Sequence, residues 1–121
     1  AYEIQVFRAA GRLLSKVTEQ VLGFARPGVS ERDLALEIDT AIRRAGFEKP
    51  AFETIVASGP HAALPHARPT ERTLGEGDLV VLDFGGVYDS YCVDLTRTVV
   101  VGPPSPRALE VHAAVREAHD R

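Results

Sequence analysis

Along the first two dozen positions, apolar residues recur every three or four: Ile4, Phe7, Ala10, Leu14, Val17, Val21 and Phe24. That spacing predicts an amphipathic helix from Tyr2 to Ala25 with one buried face, stopped by Arg26-Pro27-Gly28. The same period returns at Leu34, Ile38, Ala41, Ile42 and Ala45. A capping-box pattern at Ser30 and Asp33 precedes it and Gly46 follows it, so a second helix is expected to pack on the first. Glu48 to Glu53 reads as a turn and Thr54 to Ser58 as a short strand. From Gly59 to Thr70, Pro60, Pro65 and Pro69 bar regular structure, and this loop holds His61 and His66. Gly75-Glu76-Gly77 then turns the chain into two β-branched runs. Gly102-Pro103-Pro104 closes them before a last helix from about Pro106.

The stretch from Leu79 to Gly102, LVVLDFGGVYDSYCVDLTRTVVVG, reads as an antiparallel hairpin that reverses between Tyr88 and Asp89. With that centre, Asp83 lies opposite Asp94 and Phe84 opposite Val93, so both carboxylates share one face and the apolar pairs take the other. Directly opposed residues have Cβ atoms about 4.5–5.5 Å apart, where two like charges destabilise a sheet. Either one carboxylate is protonated or a cation sits between them, and oxygen ligands at that spacing suit a hard or borderline divalent metal. The bland alternative is two solvent-facing acids on a half-exposed hairpin. Against it, Val80, Val81, Leu82 and Phe84 surround Asp83 and Val93 and Leu95 flank Asp94, which makes both segments look buried. A cation removes the cost of burying the acids. Gly85 and Gly86 mark a place where a ligand or another backbone comes close.

Composition narrows the classes. A chain of 121 residues fits one domain or a piece of one, and 45% hydrophobic with 26% charged residues suits a soluble globular protein. A net charge of −3 without any Lys/Arg block gives no footprint for nucleic acid or an anionic membrane. No apolar run is long enough for a signal segment or a membrane span, and a single Cys92 excludes an intrachain disulfide, so a cytoplasmic setting is expected. Met is absent even from position 1, which suggests a chain processed or cut from something longer.

Two aspartates supply too few ligands for a dinuclear site, which takes several more oxygens and usually an imidazole. His61 and His66 are the nearby nitrogen candidates, each weighed against simple exposure or a backbone hydrogen bond. Pro65 pins the backbone at His66. Thr96 and Thr98 share the Asp94 face and could donate hydrogen bonds to the carboxylates. Alternation points Arg97 to the other face, where an ordinary salt bridge is its simplest role. Cys92, placed opposite Gly85, reads as core packing rather than as a ligand.

The run IVASGPHAALPHARPTERTLGEGDLVVLDFGGVYDSYCVDLTRTVVVG resembles the metal-binding half-domain of the Xaa-Pro peptidases, aminopeptidase P and prolidase, of the pita-bread metallopeptidase family. Ser58-Gly59, Ala63-Leu64-Pro65-His66, Gly77-Asp78, Asp83 and Asp94-Leu95-Thr96-Arg97-Thr98 carry the likeness most specifically, and the order of helices, turn and hairpin extends it over the whole chain. The resemblance implies an α+β fold, helices packed on a curved, mainly antiparallel sheet. It makes residues 1–121 the first half of a pita-bread catalytic domain, with a helical pair over 2–46, the sheet and metal hairpin over 54–102 and the next helix starting at 106.

It further implies that Asp83 chelates one divalent metal ion and Asp94 bridges two, with manganese first and cobalt or zinc as alternatives. His66 would line the substrate site without ligating metal, and a metal-bridging hydroxide would attack the peptide bond before proline. Both aspartates argue against creatinase, and Ala-Leu-Pro-His with Arg97 favours the Xaa-Pro branch over methionine aminopeptidase. His61 departs from the family pattern and is unassigned. The family's remaining ligands, one histidine and two glutamates, belong to the second half of the fold. The expectation is therefore a peptidase as the full-length parent, acting on peptides with proline second, and an inactive fragment in isolation. The alternatives are a non-catalytic interaction module of the same fold, or the methionine aminopeptidase branch. An open sheet edge and uncovered apolar surface lead us to expect a homo-oligomer.

Overall fold

The computed structural model describes residues 2–64 and 68–102. Its elements run α1 (Tyr2–Leu22), α2 (Glu31–Ala45), β1 (Lys49–Pro50), β2 (Ile55–Ser58), a 3-10 turn (Gly59–Ala63), β3 (Leu79–Tyr88) and β4 (Tyr91–Val100). The helix expected from Pro106 and the loop residue His66 lie outside the described residues.

β3 is the centre of a four-stranded antiparallel sheet. β4 runs along its whole length from Leu79↔Val100 to Tyr88↔Tyr91. β1 pairs with Val87 and Gly86, and β2 with Asp83 back to Val80, so these two short strands share the opposite edge of β3. Side-chain alternation then divides the sheet. Val80, Leu82 and Phe84 are wholly buried and join the core formed with the helices, and Val93, Leu95 and Val99 of β4 pack against the same core. Asp83, Gly85, Asp94 and Thr96 belong to the other face.

The helices form where the apolar period places them. In α1 the buried stripe is Val6, Ala10, Leu14, Val17 and Val21, a continuous i, i+4 or i+3 row. Ile4 and Phe7, expected in that stripe, are 55% and 44% exposed. They flank the row that Val6 completes, and Phe7 instead sets its ring edge-on to Tyr91 with centroids 4.9 Å apart. The helix also ends at Leu22, short of Ala25. In α2 the Ser30 side chain accepts the Asp33 N–H at the N-cap, and Gly46 takes the left-handed C-cap at φ 118°. Gly77 N–H donates to Val101 O at 2.7 Å and Val101 N–H to Asp78 O at 3.0 Å, closing the open end of the hairpin. β1, within the segment expected to be only a turn, is a two-residue pairing. No described helix is long and apolar enough to cross a membrane.

Candidate functional site

The hairpin reverses at Asp89-Ser90, both with positive φ (49° and 69°), the geometry of a two-residue primed turn. The expected centre, between Tyr88 and Asp89, is one position early. Tyr88 and Tyr91 stay paired as strand residues, while the short polar pair tolerates the left-handed region better than an aromatic residue would. Asp83 therefore lies opposite Thr96, and Asp94 opposite Gly85, rather than opposite each other. Phe84 faces Leu95, and Cys92 faces Val87. Moving the centre by one position shifts the register by two and leaves every side chain on its face. Asp83 and Asp94 thus remain on one side of the sheet as diagonal neighbours.

That face is more open than its apolar surroundings suggested: Asp83 is half-buried and Asp94 exposed. Thr96 Oγ1 donates to Asp83 Oδ1 at 3.2 Å, fixing the carboxylate's orientation as its side of the sheet allowed. Gly85 leaves no room for anything larger opposite Asp94. A Cβ there would stand 2.3 Å from Val93 O and 3.0 Å from Asp94 Cα. Gly86 is held equally tightly by the ring of Phe47, 2.4 Å from its would-be Cβ. Arg97 turns away and donates to Thr96 O at 2.9 Å rather than forming the expected salt bridge. Among the described residues no basic side chain pairs with Asp83 or Asp94, and Cys92 is exposed rather than packed.

Two uncompensated carboxylates on one face fit a divalent cation as members of a larger oxygen and nitrogen donor set. Among the described residues no group of three or more His, Cys, Asp or Glu side chains gathers to complete such a set. One cleft, of about 510 Å³, lies away from the two aspartates and is lined by Gln5, Val6, Ala9, Gly46, Glu48, Tyr88 and Asp89.

On the helix side of the sheet lies a second ionic cluster that the sequence did not reveal. Glu31, the first residue of α2, is fully buried. Ser58 donates to its Oε2 twice, from N–H at 2.8 Å and Oγ at 2.6 Å. Thr70 donates to Oε1 twice, from N–H at 3.0 Å and Oγ1 at 2.8 Å. His61 Nδ1 lies 3.0 Å from Oε2. Burial alone would push the Glu31 carboxyl up, but the bonds from Ser58, Thr70 and His61 together outweigh it and bring the pKa from 4.5 down to about 2. Arg72 Nη1 extends the cluster, donating to Ser58 Oγ at 2.8 Å and Asp78 Oδ2 at 2.7 Å. Burial opposes ionisation of Asp78 as well, yet Arg72 and the Gly75 N–H hold its carboxyl below the usual range. Gly59, at φ 53°, lets the guanidinium lie against the main chain where a Cβ would be 2.6 Å from Nη2. His61, unassigned from sequence, is thus a partner of Glu31.

The family description "Metallopeptidase family M24" matches residues 5–121. The Xaa-Pro dipeptidase of Pyrococcus furiosus is 38% identical over 119 residues, 98% of this chain and 34% of the relative. Among solved structures, an Xaa-Pro dipeptidase from Bacillus anthracis superposes with a TM-score of 0.92 at 41% identity, covering 99% of this chain and 34% of that one. An X-Pro aminopeptidase from Thermotoga maritima gives 0.91 at 38%, covering 98% and 34%. The α+β pita-bread class expected above is thereby the fold of this chain, which spans about a third of the length of these relatives. With a match across nearly all its residues, the chain belongs to metallopeptidase family M24.

Proposed function

We propose that the protein carrying this chain is a dinuclear, divalent-metal-dependent peptidase that hydrolyses the Xaa-Pro bond near the N-terminus of peptides. Residues 1–121 form the first half of its pita-bread catalytic domain. The observation that carries the reading is the pair Asp83 and Asp94, on one open face without a basic partner among the described residues, in a chain of family M24. Relatives bearing the names Xaa-Pro dipeptidase and X-Pro aminopeptidase support the proline-directed substrate.

Asp83 would hold one cation and Asp94 two, manganese being the expected metal. Bound divalent cations supply Lewis-acid chemistry, polarising a carbonyl and lowering the pKa of water. Thr96 takes up one lone pair of Asp83 Oδ1 and leaves Oδ2 free of protein donors among the described residues. Gly85 keeps the space across from Asp94 clear of side chain. His66 contacts substrate and orients the scissile group without ligating metal. Self-association belongs to the same reading and is supported by the exposed Ile4, Phe7, Leu22, Leu36 and Leu64.

The test is hydrolysis by the intact protein with added manganese. An Ala-Pro peptide is cleaved, its Ala-Ala analogue is not, and Asp83→Ala or Asp94→Ala reduces turnover to background. A polypeptide of residues 1–121 alone gives no turnover. Failure of the intact protein to cleave the proline peptide with any divalent metal would overturn the reading.

A further inference from the structure

Gln5, Ala9, Arg12 and Lys16 recur every three or four residues and so form one row on α1, beside the buried stripe. Two clefts run into one another along that row. The cleft of about 510 Å³ and a second of about 240 Å³ share Ala9 and Tyr88 in their linings. Away from this common floor they differ in charge. Glu48 and Asp89 line only the first, while Arg12 and Lys16 line only the second. The joined groove therefore follows α1 from Gln5 to Lys16, about 16 Å at 1.5 Å per residue, acidic at one end and basic at the other.

All four charged side chains are exposed. Among the described residues Arg12, Lys16 and Glu48 form no ion pair. Equal numbers of both signs do not suit a partner of one sign, such as nucleic acid or an acidic peptide. They suit a surface that is its own complement. A two-fold rotation about an axis through Ala9 and Tyr88 lays the acidic end of one copy on the basic end of another, and symmetry repeats the contact on the far side of the axis. The half-buried ring of Tyr88 then sits at the centre, where an aromatic residue contributes most to an interface. Tyr88 packs against the helix-side core, so the groove lies across the sheet from Asp83 and Asp94.

We propose that this groove is the interface of a two-fold symmetric dimer: its occupant is a second copy of the chain, with Arg12 and Lys16 of each copy set against Glu48 and Asp89 of the other. Pairing here leaves the aspartate face of both copies open. The inference rests on the self-association in the reading above and not on Xaa-Pro hydrolysis.

The experiment is sedimentation equilibrium of the intact protein. Wild type forms a dimer whose Kd rises with added salt. Arg12→Glu with Lys16→Glu sets acid against acid on both sides of the axis, and Glu48→Lys with Asp89→Asn sets base against base. Each double variant raises Kd by at least about tenfold, since like charges face one another across the contact. Mixed together, the two variants form a heterodimer at least about tenfold tighter than either alone, because each reversed end now meets its opposite. A thermal midpoint close to wild type shows that folding is intact. Should a reversal disturb it, Arg12→Gln with Lys16→Gln removes the charge alone and weakens both the dimer and its salt dependence. A monomeric wild type, a dimer indifferent to the substitutions, or reversed variants that stay apart when mixed would each overturn the interface. A wild-type dimer without Xaa-Pro hydrolysis overturns the peptidase reading and leaves this one standing, so the two failures are told apart.

Discussion

At the scale of single residues, the least expected feature is a carboxylate cut off from solvent and kept ionised. Glu31 has a pKa of about 2 in the fold against 4.5 for the free side chain. A depressed pKa contributes stability that is complete above the unfolded value and disappears as pH falls through the folded one. Its share is therefore lost between about pH 4.5 and 2, and Asp78, also lowered, adds in the same direction. The shift corresponds to about 3 kcal/mol. Chemical unfolding of wild type across that window should show a steep acid limb, and Glu31→Gln, less stable at pH 7, should show a shallower one. Equal slopes would mean the carboxylate is not held as described. Gly85 is the second residue on which the site depends. Gly85→Ala forces a methyl into Val93 O and the Asp94 main chain, costing about 1–3 kcal/mol by overpacking. Denaturant midpoints would reveal it, and a neutral effect would count against the close strand approach. Gly85 was readable as a close-approach position because a glycine between apolar strand residues is conspicuous. Glu31 was not, since an acid in a helix's first turn is ordinary and its donors lie 27 to 39 positions away in sequence.

Among the elements, periodicity predicted more than pairing did. The helices and the two long strands follow from apolar spacing, and so does the face on which each aspartate lies. Register depended on which two residues make the turn, and the aromatic-polar sequence Val87-Tyr88-Asp89-Ser90 offered two centres. Tyr88 and Tyr91 pairing as strand residues decided it. β1 escaped notice because a Lys-Pro pair has neither alternation nor a proline N–H to donate, and only Val87 and Gly86 of β3 make it a strand. The turn carries its own prediction. Ser90 holds φ 69° without being glycine, so Ser90→Gly relieves strain and should raise stability by about 0.5–1 kcal/mol. Thermal unfolding would show a higher midpoint, and a lower one would argue for a different reversal.

For the molecule as a whole, the sheet keeps its two ionic clusters apart. The helix face holds Glu31 buried and Arg72 and Asp78 paired and half-buried, while the opposite face presents Asp83 and Asp94 without any basic partner among the described residues. The first arrangement holds the chain together, and the second supplies charge for something else to answer. The chain covers about a third of the length of these relatives. The most direct measurement is anomalous diffraction at the manganese edge from crystals of the intact protein grown with manganese. Our account predicts a peak within ligand distance of both the Asp83 and Asp94 carboxylates, lost in Asp94→Asn. Manganese-dependent peptide hydrolysis with the peak bound elsewhere, and this face empty, would contradict it.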